Sequence, residues 1–321
     1  MIVSIASGKG GTGKTTVATS LALYLEEAHE GKIYFLDCDV EEPNAHIFLK
    51  PQIVKSTSFG IPIPEVDFTK CNYCGKCGEV CAYNAIIVVK ENVLVFPELC
   101  HGCGGCSLLC PNNAIIEKER EIGLIEEGLC GRIEFFHGKL NIGEPMAAPL
   151  IKSVKEKAKR ASTGWKDQSV VSSAAKEDVI KENDKNVITI IDVPPGTSCP
   201  VIKAVQGSDF TILVTEPTPF GLHDLKLAVE TLKKLMIPFG VVVNCAGTGD
   251  MKVQEFCKEE KIPLIAEIPY EREIAVLYSY GIPMLKEGNK YRDIFKRIWE
   301  HLIKKSTGAQ VTRAQEKDSM Q

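Results

Sequence analysis

The sequence predicts an α/β protein: a mostly parallel sheet with helices on both faces, interrupted by a small cysteine-rich α+β module. Three observations predict it. Short β-branched runs alternate with helical stretches toward both ends of the chain. A glycine-rich loop joins the first of those strands to the first helix. Thirteen cysteines are present, and eight of them lie between Cys71 and Cys110.

The elements follow in order. Ile2–Ala6 reads as a buried strand, and 16–26 as a helix with Val17, Leu21 and Leu25 on one face. A second strand over 32–36 ends at "DCDVEEPN". Between about 61 and 121 the alternation breaks into a short-period, cysteine-rich stretch flanked by Pro62 and Pro64. It resumes near Val187 with the strands "VITIIDV", "FTILVTE", "FGVVVNC" and "PLIAEIP", and with helical text such as "HDLKLAVETLKKL". The expected organisation is the first part of the α/β domain over 1–60, an inserted module over 61–121, and the second part of the α/β domain over 122–305. The polar segment 163–186 reads as a mobile loop or simple disorder, and 306–321 as a disordered tail. "YRDIFKRIWEHLIKK" is amphipathic and reads as a helix closing the core through Ile294, Phe295, Ile298, Trp299, Leu302 and Ile303.

Composition narrows the class. With 321 residues, 44% of them hydrophobic, the chain can bury one large core or two smaller ones. A net charge of −4 does not suggest a nucleic-acid partner. No secretory pattern opens the sequence, and no apolar run reaches the roughly 18 residues of a membrane span. A cytoplasmic protein without a membrane span is expected. In that compartment, cysteine density points to metal binding rather than disulfides.

The segment Gly8-Lys9-Gly10-Gly11-Thr12-Gly13-Lys14-Thr15, followed by Thr16, satisfies G-x-x-x-x-G-K-[ST] between a strand and a helix. Glycines let backbone N–H groups curl around a phosphate, and the helix N-terminus adds partial positive charge. Lys14 is expected on the β- and γ-phosphates and Thr15 on Mg²⁺. Lys9 is not required by that pattern, and a solvated loop lysine is its bland alternative.

"KGGTGKTT" resembles the deviant phosphate loop of the MinD/ParA family of P-loop ATPases, which includes the nitrogenase iron protein and the Mrp-type cluster carriers. The resemblance implies an ATPase, slow and partner-stimulated, that forms a homodimer in the ATP state. It implies that Lys9 crosses the dimer interface to the partner's nucleotide, as an arginine finger does. In "DCDVEEPN", the position of the family's first switch, Asp39 resembles the residue that positions attacking water, and Asp37 a Mg²⁺-associated group. Either is otherwise a polar strand end. "IIDVPPG" resembles the second switch, with Asp192 holding Mg²⁺-bound water and Pro194, Pro195 and Gly196 forming a stiff turn. Asn244, Pro269 and Tyr270 are expected near adenine, although Cys245 stands where the family often has a basic residue. No guanine-reading N-K-x-D occurs at Asn244, which favours ATP.

"CNYCGKCGEVCAYNAII" from Cys71 and "CHGCGGCSLLCPNNAII" from Cys100 superpose at an offset of 29 residues, cysteine on cysteine. Each is C-x₂-C-x₂-C-x₃-C, the pattern of a two-cluster bacterial ferredoxin. Cys71, Cys74, Cys77 and Cys110 are expected to hold one [4Fe–4S] cluster. Cys100, Cys103, Cys106 and Cys81 are expected to hold the other. Ala82 stands where the second run has Pro111. Zinc ribbons use paired rather than triplet spacings. Cys130, Cys199, Cys245 and Cys257 are isolated and read as small buried hydrophobes. The six histidines show no ligand spacing.

A ferredoxin within such an ATPase resembles a subgroup found largely in anaerobic bacteria and archaea, with further likeness in "NIGEPMAAPLIKSVK" and "TEPTPFGLHDLKLAVE". Three functions follow: ATP-coupled electron transfer to an unidentified redox partner, assembly or delivery of a metal centre, or a spatial scaffold with structural clusters. Full four-cysteine ligation favours the first.

Overall fold

The computed structural model describes residues 1–162, 186–286 and 290–304. The expectations for 163–185 and 306–321 lie outside the described residues. One nine-stranded sheet organises the molecule. Its strands are β1 (Ile2–Ala6), β2 (Lys32–Asp37), β3 (Gln52–Val66), β6 (Ile115–Cys130), β7 (Ile133–Leu140), β8 (Val187–Asp192), β9 (Phe210–Thr215), β10 (Phe239–Ala246) and β11 (Leu264–Pro269). Their order is β11-β10-β9-β1-β8-β2-β7-β6-β3. From β11 to β7 every pairing is parallel, whereas β7–β6 and β6–β3 are antiparallel.

Alternation along each strand feeds two cores. Ile33 and Phe35 of β2 face one cluster, and Tyr34 and Leu36 face the other. On the first face pack α1 (Lys14–Ala28), through Val17, Leu21 and Leu25, and a helix over 292–304, through Phe295, Ile298 and Leu302. That last helix closes the core as its pattern predicts, although Ile303 is exposed. On the second face pack α5 (Ala147–Ser162), α6 (Cys199–Val205), α7 (Pro219–Lys234) and α8 (Lys252–Glu259). Each fully buried Leu, Ile or Phe contributes about 1.5–3 kcal/mol. Burial therefore outweighs capping in α1, which has no side-chain N-cap.

Sequence periodicity missed the β6–β7 hairpin. Its turn is at Gly131, φ 56°, and β7 slots beside β2. Pro62 and Pro64, read as flanking the cysteine-rich stretch, lie within β3. They are tolerated because β3 is an edge strand, where one side needs no backbone donor.

β3 and β6 pair from Gln52↔Leu129 to Val66↔Ile115, passing through the expected module limits at Gly60↔Glu121 and Ile61↔Arg120. Only Gly123 to Cys130 of β6 also pair with β7. Beyond Gly123 the two strands run on as a ribbon for eight further residues of β6, roughly 27 Å. Ile61 and Ile122 root that ribbon in the core. At its far end sit α3 (Lys76–Val80), a hairpin of β4 (Ile86–Val89) with β5 (Asn92–Val95), and α4 (Gly105–Leu108). No described helix is long and apolar enough to cross a membrane.

Candidate functional site

The parallel strands β1, β2, β8, β9, β10 and β11 all end at one edge of the sheet, where α/β proteins bind ligands. The loop after β1 reaches α1 through Gly13, at φ 91° and ψ 21°, a left-handed conformation that glycine adopts without strain. A Cβ there would collide with the Asn244 amide. That amide donates to Thr12 O at 2.9 Å and clamps the loop. With no side chain capping α1, its first N–H groups are free to meet an anion.

A cleft of about 430 Å³ opens over this loop, within the range of small-molecule sites. Gly10, Gly11, Gly13, Lys14, Thr15 and Thr16 form its floor. Asp39, Asn244, Pro269 and Tyr270 line it too, so the structure brings these predicted residues together. Glu42, Asn44, Pro195, Cys245, Glu271, Ile274, Ala275 and Tyr278 complete the wall. Sequence reading had not singled out Tyr278, whose ring packs 5.0 Å from Phe48. Only its recurrence on the helical stretch after "EIPYE" could have flagged it.

Three carboxylates converge behind the floor. Thr15 Oγ1 donates to Asp192 Oδ2 at 2.6 Å, while Asp192 Oδ1 is buried without a partner. Burial pushes Asp192 up to about 7, against the opposing pull of Lys14 and the Thr15 hydroxyl. Burial likewise lifts Asp39 to about 6, again opposed by Lys14. Asp37 is fully buried and raised by burial and by the charge of Asp192. Its Oδ1 accepts from Asp39 N, and its Oδ2 from Asn44 N and Ala45 N at 3.1 and 3.0 Å. Asp37 thus anchors the segment after β2 rather than presenting a free oxygen. An unpartnered carboxylate oxygen beside a hydroxyl suits a hard cation such as Mg²⁺, which takes few protein ligands and keeps several waters.

Lys9 points away from the cleft. Its Nζ lies 3.0 Å from Glu216 Oε2 at the end of β9. Glu216 escaped sequence reading; it follows β9, the strand that the sheet sets beside β1.

The thiols occupy two cavities at the end of the ribbon. One is lined by Cys71, Cys74, Cys77 and Cys110, and the other by Cys81, Cys100, Cys103 and Cys106. The 29-residue repeat reappears in the backbone. Gly75 and Gly104 start α3 and α4 at φ 82° and 72°, Tyr73 matches Gly102, and Asn84 matches Asn113, all at positive φ. Ala85 N donates to Cys81 Sγ at 3.3 Å, and Ala114 N to Cys110 Sγ at 3.2 Å. Burial raises Cys81, but the backbone N–H groups of Tyr83, Ala85, Ile86 and Asn84 outweigh it and bring the thiol below its ordinary value. Such donors favour thiolate, the ligating form. No three His, Cys, Asp or Glu side chains among the described residues are placed to share a single metal ion. A cubane makes a different demand, with each thiolate on its own iron around a cavity.

The cavities differ in their walls. Pro62, Pro64 and Glu117 of the ribbon line the second, beside a Tyr83–His101 ring stack at 3.4 Å. The equivalent positions in the first repeat relationship are Asn112 and Asn72. Of the cysteines outside the two repeats, Cys38 and Cys257 are buried. Cys199 is exposed, because α6 turns its first residue outward, and Cys130 and Cys245 are half-buried.

The model of the CobQ/CobB/MinD/ParA nucleotide binding domain matches residues 3–284. Two uncharacterised proteins of Methanocaldococcus jannaschii are similar along nearly the full length. One is 32% identical over 303 residues, covering 94% of this chain and 96% of the relative. The other is 30% identical over 311 residues, covering 94% and 98%. The iron-sulfur cluster carrier protein of Pyrococcus horikoshii is 28% identical over 132 residues, 36% of this chain and 45% of that protein. Among solved structures, MinD of Pyrococcus horikoshii complexed with Mg-ADP has a TM-score of 0.55 at 19% identity, covering 94% of this chain and 95% of that one. At that identity the likeness is one of fold: an α/β P-loop NTPase with a mostly parallel sheet.

Proposed function

Because the chain belongs to the CobQ/CobB/MinD/ParA nucleotide-binding family, we propose that it is an ATPase whose nucleotide-switched dimer drives electron transfer through two [4Fe–4S] clusters to a partner protein. One observation carries the iron–sulfur part. Each of two cavities is lined by four thiols, three from one repeat and one from the other, the exchange that a two-cluster ferredoxin uses. When bound, such clusters supply one-electron transfer. Cys71, Cys74, Cys77 and Cys110 would hold one, and Cys100, Cys103, Cys106 and Cys81 the other.

In the ATPase reading, Lys14 and the N–H groups of the loop neutralise the β- and γ-phosphates. Thr15 and Asp192 would hold Mg²⁺ and its waters, which draw charge from the phosphates. Asp39 lines the cleft and orients the water that attacks the γ-phosphorus as the bond to the ADP oxygen breaks. Lys9 leaves Glu216 and reaches the nucleotide of a second copy. Cytoplasmic placement and ATP rather than GTP belong to the same reading.

A second reading, assembly or delivery of metal centres, draws on the names borne by relatives that match 36% and 37% of this chain. Anaerobic reconstitution separates these readings. The electron-transfer reading expects about eight irons per chain, EPR signals of two cubanes, and iron retained in the presence of ATP and an apo-acceptor protein. Cys77→Ser should lose one signal and Cys103→Ser the other. ATP-dependent passage of iron to the acceptor would favour assembly. Stoichiometric zinc without visible absorption would remove both.

A further inference from the structure

Arg120 stands where the ribbon leaves the sheet. It lies on β6 directly opposite Ile61 of β3. Its guanidinium grips Glu144 at two points, Nη1 to Oε2 at 2.6 Å and Nη2 to Oε1 at 3.2 Å. The Glu144 side chain is 5% exposed and that of Arg120 22%, so water screens the pair weakly. Arg120 Nε is buried without an acceptor. Beyond Glu144, Glu98 and an ionised Cys100 sulfur would each favour the charged guanidinium.

The backbone explains that proximity. Cys100 Sγ lies 4.0 Å from Pro62 O. The turn at Gly102 packs against Ile61 and Pro62, and Ile61 is the residue across from Arg120. The second cavity is therefore built against the ribbon at the level of Arg120. The cation at the first cavity, Lys76, is exposed and screened by solvent.

We propose that Arg120 is a positioning residue for electron transfer: held by Glu144, its charge raises the reduction potential of the cluster bound by Cys81, Cys100, Cys103 and Cys106. Reduction adds one negative charge to a cluster, and a fixed cation in a poorly screened site stabilises the added charge. Glu144 opposes that effect while fixing its geometry. The proposal rests on the reading that these thiols hold a cluster.

The test is an anaerobic redox titration of reconstituted full-length protein, followed by EPR, on the unsubstituted chain, Arg120→Gln and Glu144→Gln. Iron content is measured on each. Arg120→Gln should lower the midpoint of one signal, changing its oxidised-to-reduced ratio about tenfold at fixed potential, or about 59 mV for one electron. The other signal should stay in place. Glu144→Gln, which leaves the cation uncompensated, should raise the same midpoint. Opposite shifts confined to one cluster are not produced by a structural role alone. Unmoved midpoints, equal shifts in both clusters, or shifts of the same sign in the two variants would overturn the proposal. Absence of cubane signals from the unsubstituted protein is a separate failure, that of the cluster reading, and the role of Arg120 would fall with it.

Discussion

Lys14 and Lys9 lie five residues apart in one loop and have opposite environments. Lys14 is 6% exposed on the cleft floor, facing Asp39 and Asp192. Lys9 is turned outward onto Glu216. Lys14→Ala should weaken ATP binding about a hundredfold, because about 2–3 kcal/mol of charge-assisted bonding to phosphate is lost. Lys9→Ala should leave calorimetric ATP affinity nearly unchanged while suppressing hydrolysis and analogue-induced dimerisation, read by light scattering. A Lys9→Ala protein that dimerises and hydrolyses normally would remove it from the active site. The phosphate loop was legible because its spacing encodes backbone curvature, and Gly13 can be read directly as a left-handed turn. The clamp from Asn244 and the latch at Glu216 were not. They depend on the order in which the sheet sets β10 and β9 on one side of β1, and no local pattern records that.

At the scale of elements, legibility followed periodicity. Strands with continuous apolar runs, such as β8 and β9, were evident because both faces are buried. β3 was not, since most of it is exposed and its prolines read as breakers until its edge position is known. The tie between α5 and α6 was equally invisible. Lys155 of α5 donates through Nζ to Lys203 O at 3.0 Å and to Ala204 O and Gln206 O at 2.7 Å each. A cation at this helix end satisfies carbonyls that have no helical donor and complements the helix dipole. Lys155→Met keeps most of the packing and removes all three bonds. The unfolding free energy from urea titration should fall by about 2–3 kcal/mol, with unchanged iron content. A loss below about 0.5 kcal/mol would mean that water replaces the ammonium without penalty.

For the molecule as a whole, the decisive feature is that the ribbon leaves the same sheet edge that carries the nucleotide cleft. The connection between them is made of hydrogen bonds. Leu140 N donates to Val40 O, in the segment beside Asp39, at 2.8 Å. Asn141 N donates to Ile122 O of the ribbon at 2.9 Å, and Glu144 N to Asn141 O at 3.1 Å. Glu144 then holds Arg120. Segments contacting the γ-phosphate rearrange when it is present, so nucleotide should alter how Glu144 and Arg120 sit against the second cavity. Linkage then requires that any nucleotide shifting a cluster's potential bind oxidised and reduced protein with different affinity. A shift of about 59 mV corresponds to a tenfold affinity ratio for one electron. Redox titration by EPR without nucleotide, with ADP and with a non-hydrolysable ATP analogue should therefore move at least one midpoint. The moved signal should be the one that Cys103→Ser abolishes, and Arg120→Gln should lose the nucleotide response. Identical potentials in all three states, with nucleotide affinities indifferent to reduction, would leave the thiol-bearing module uncoupled. ATP would then control it only through docking of the partner.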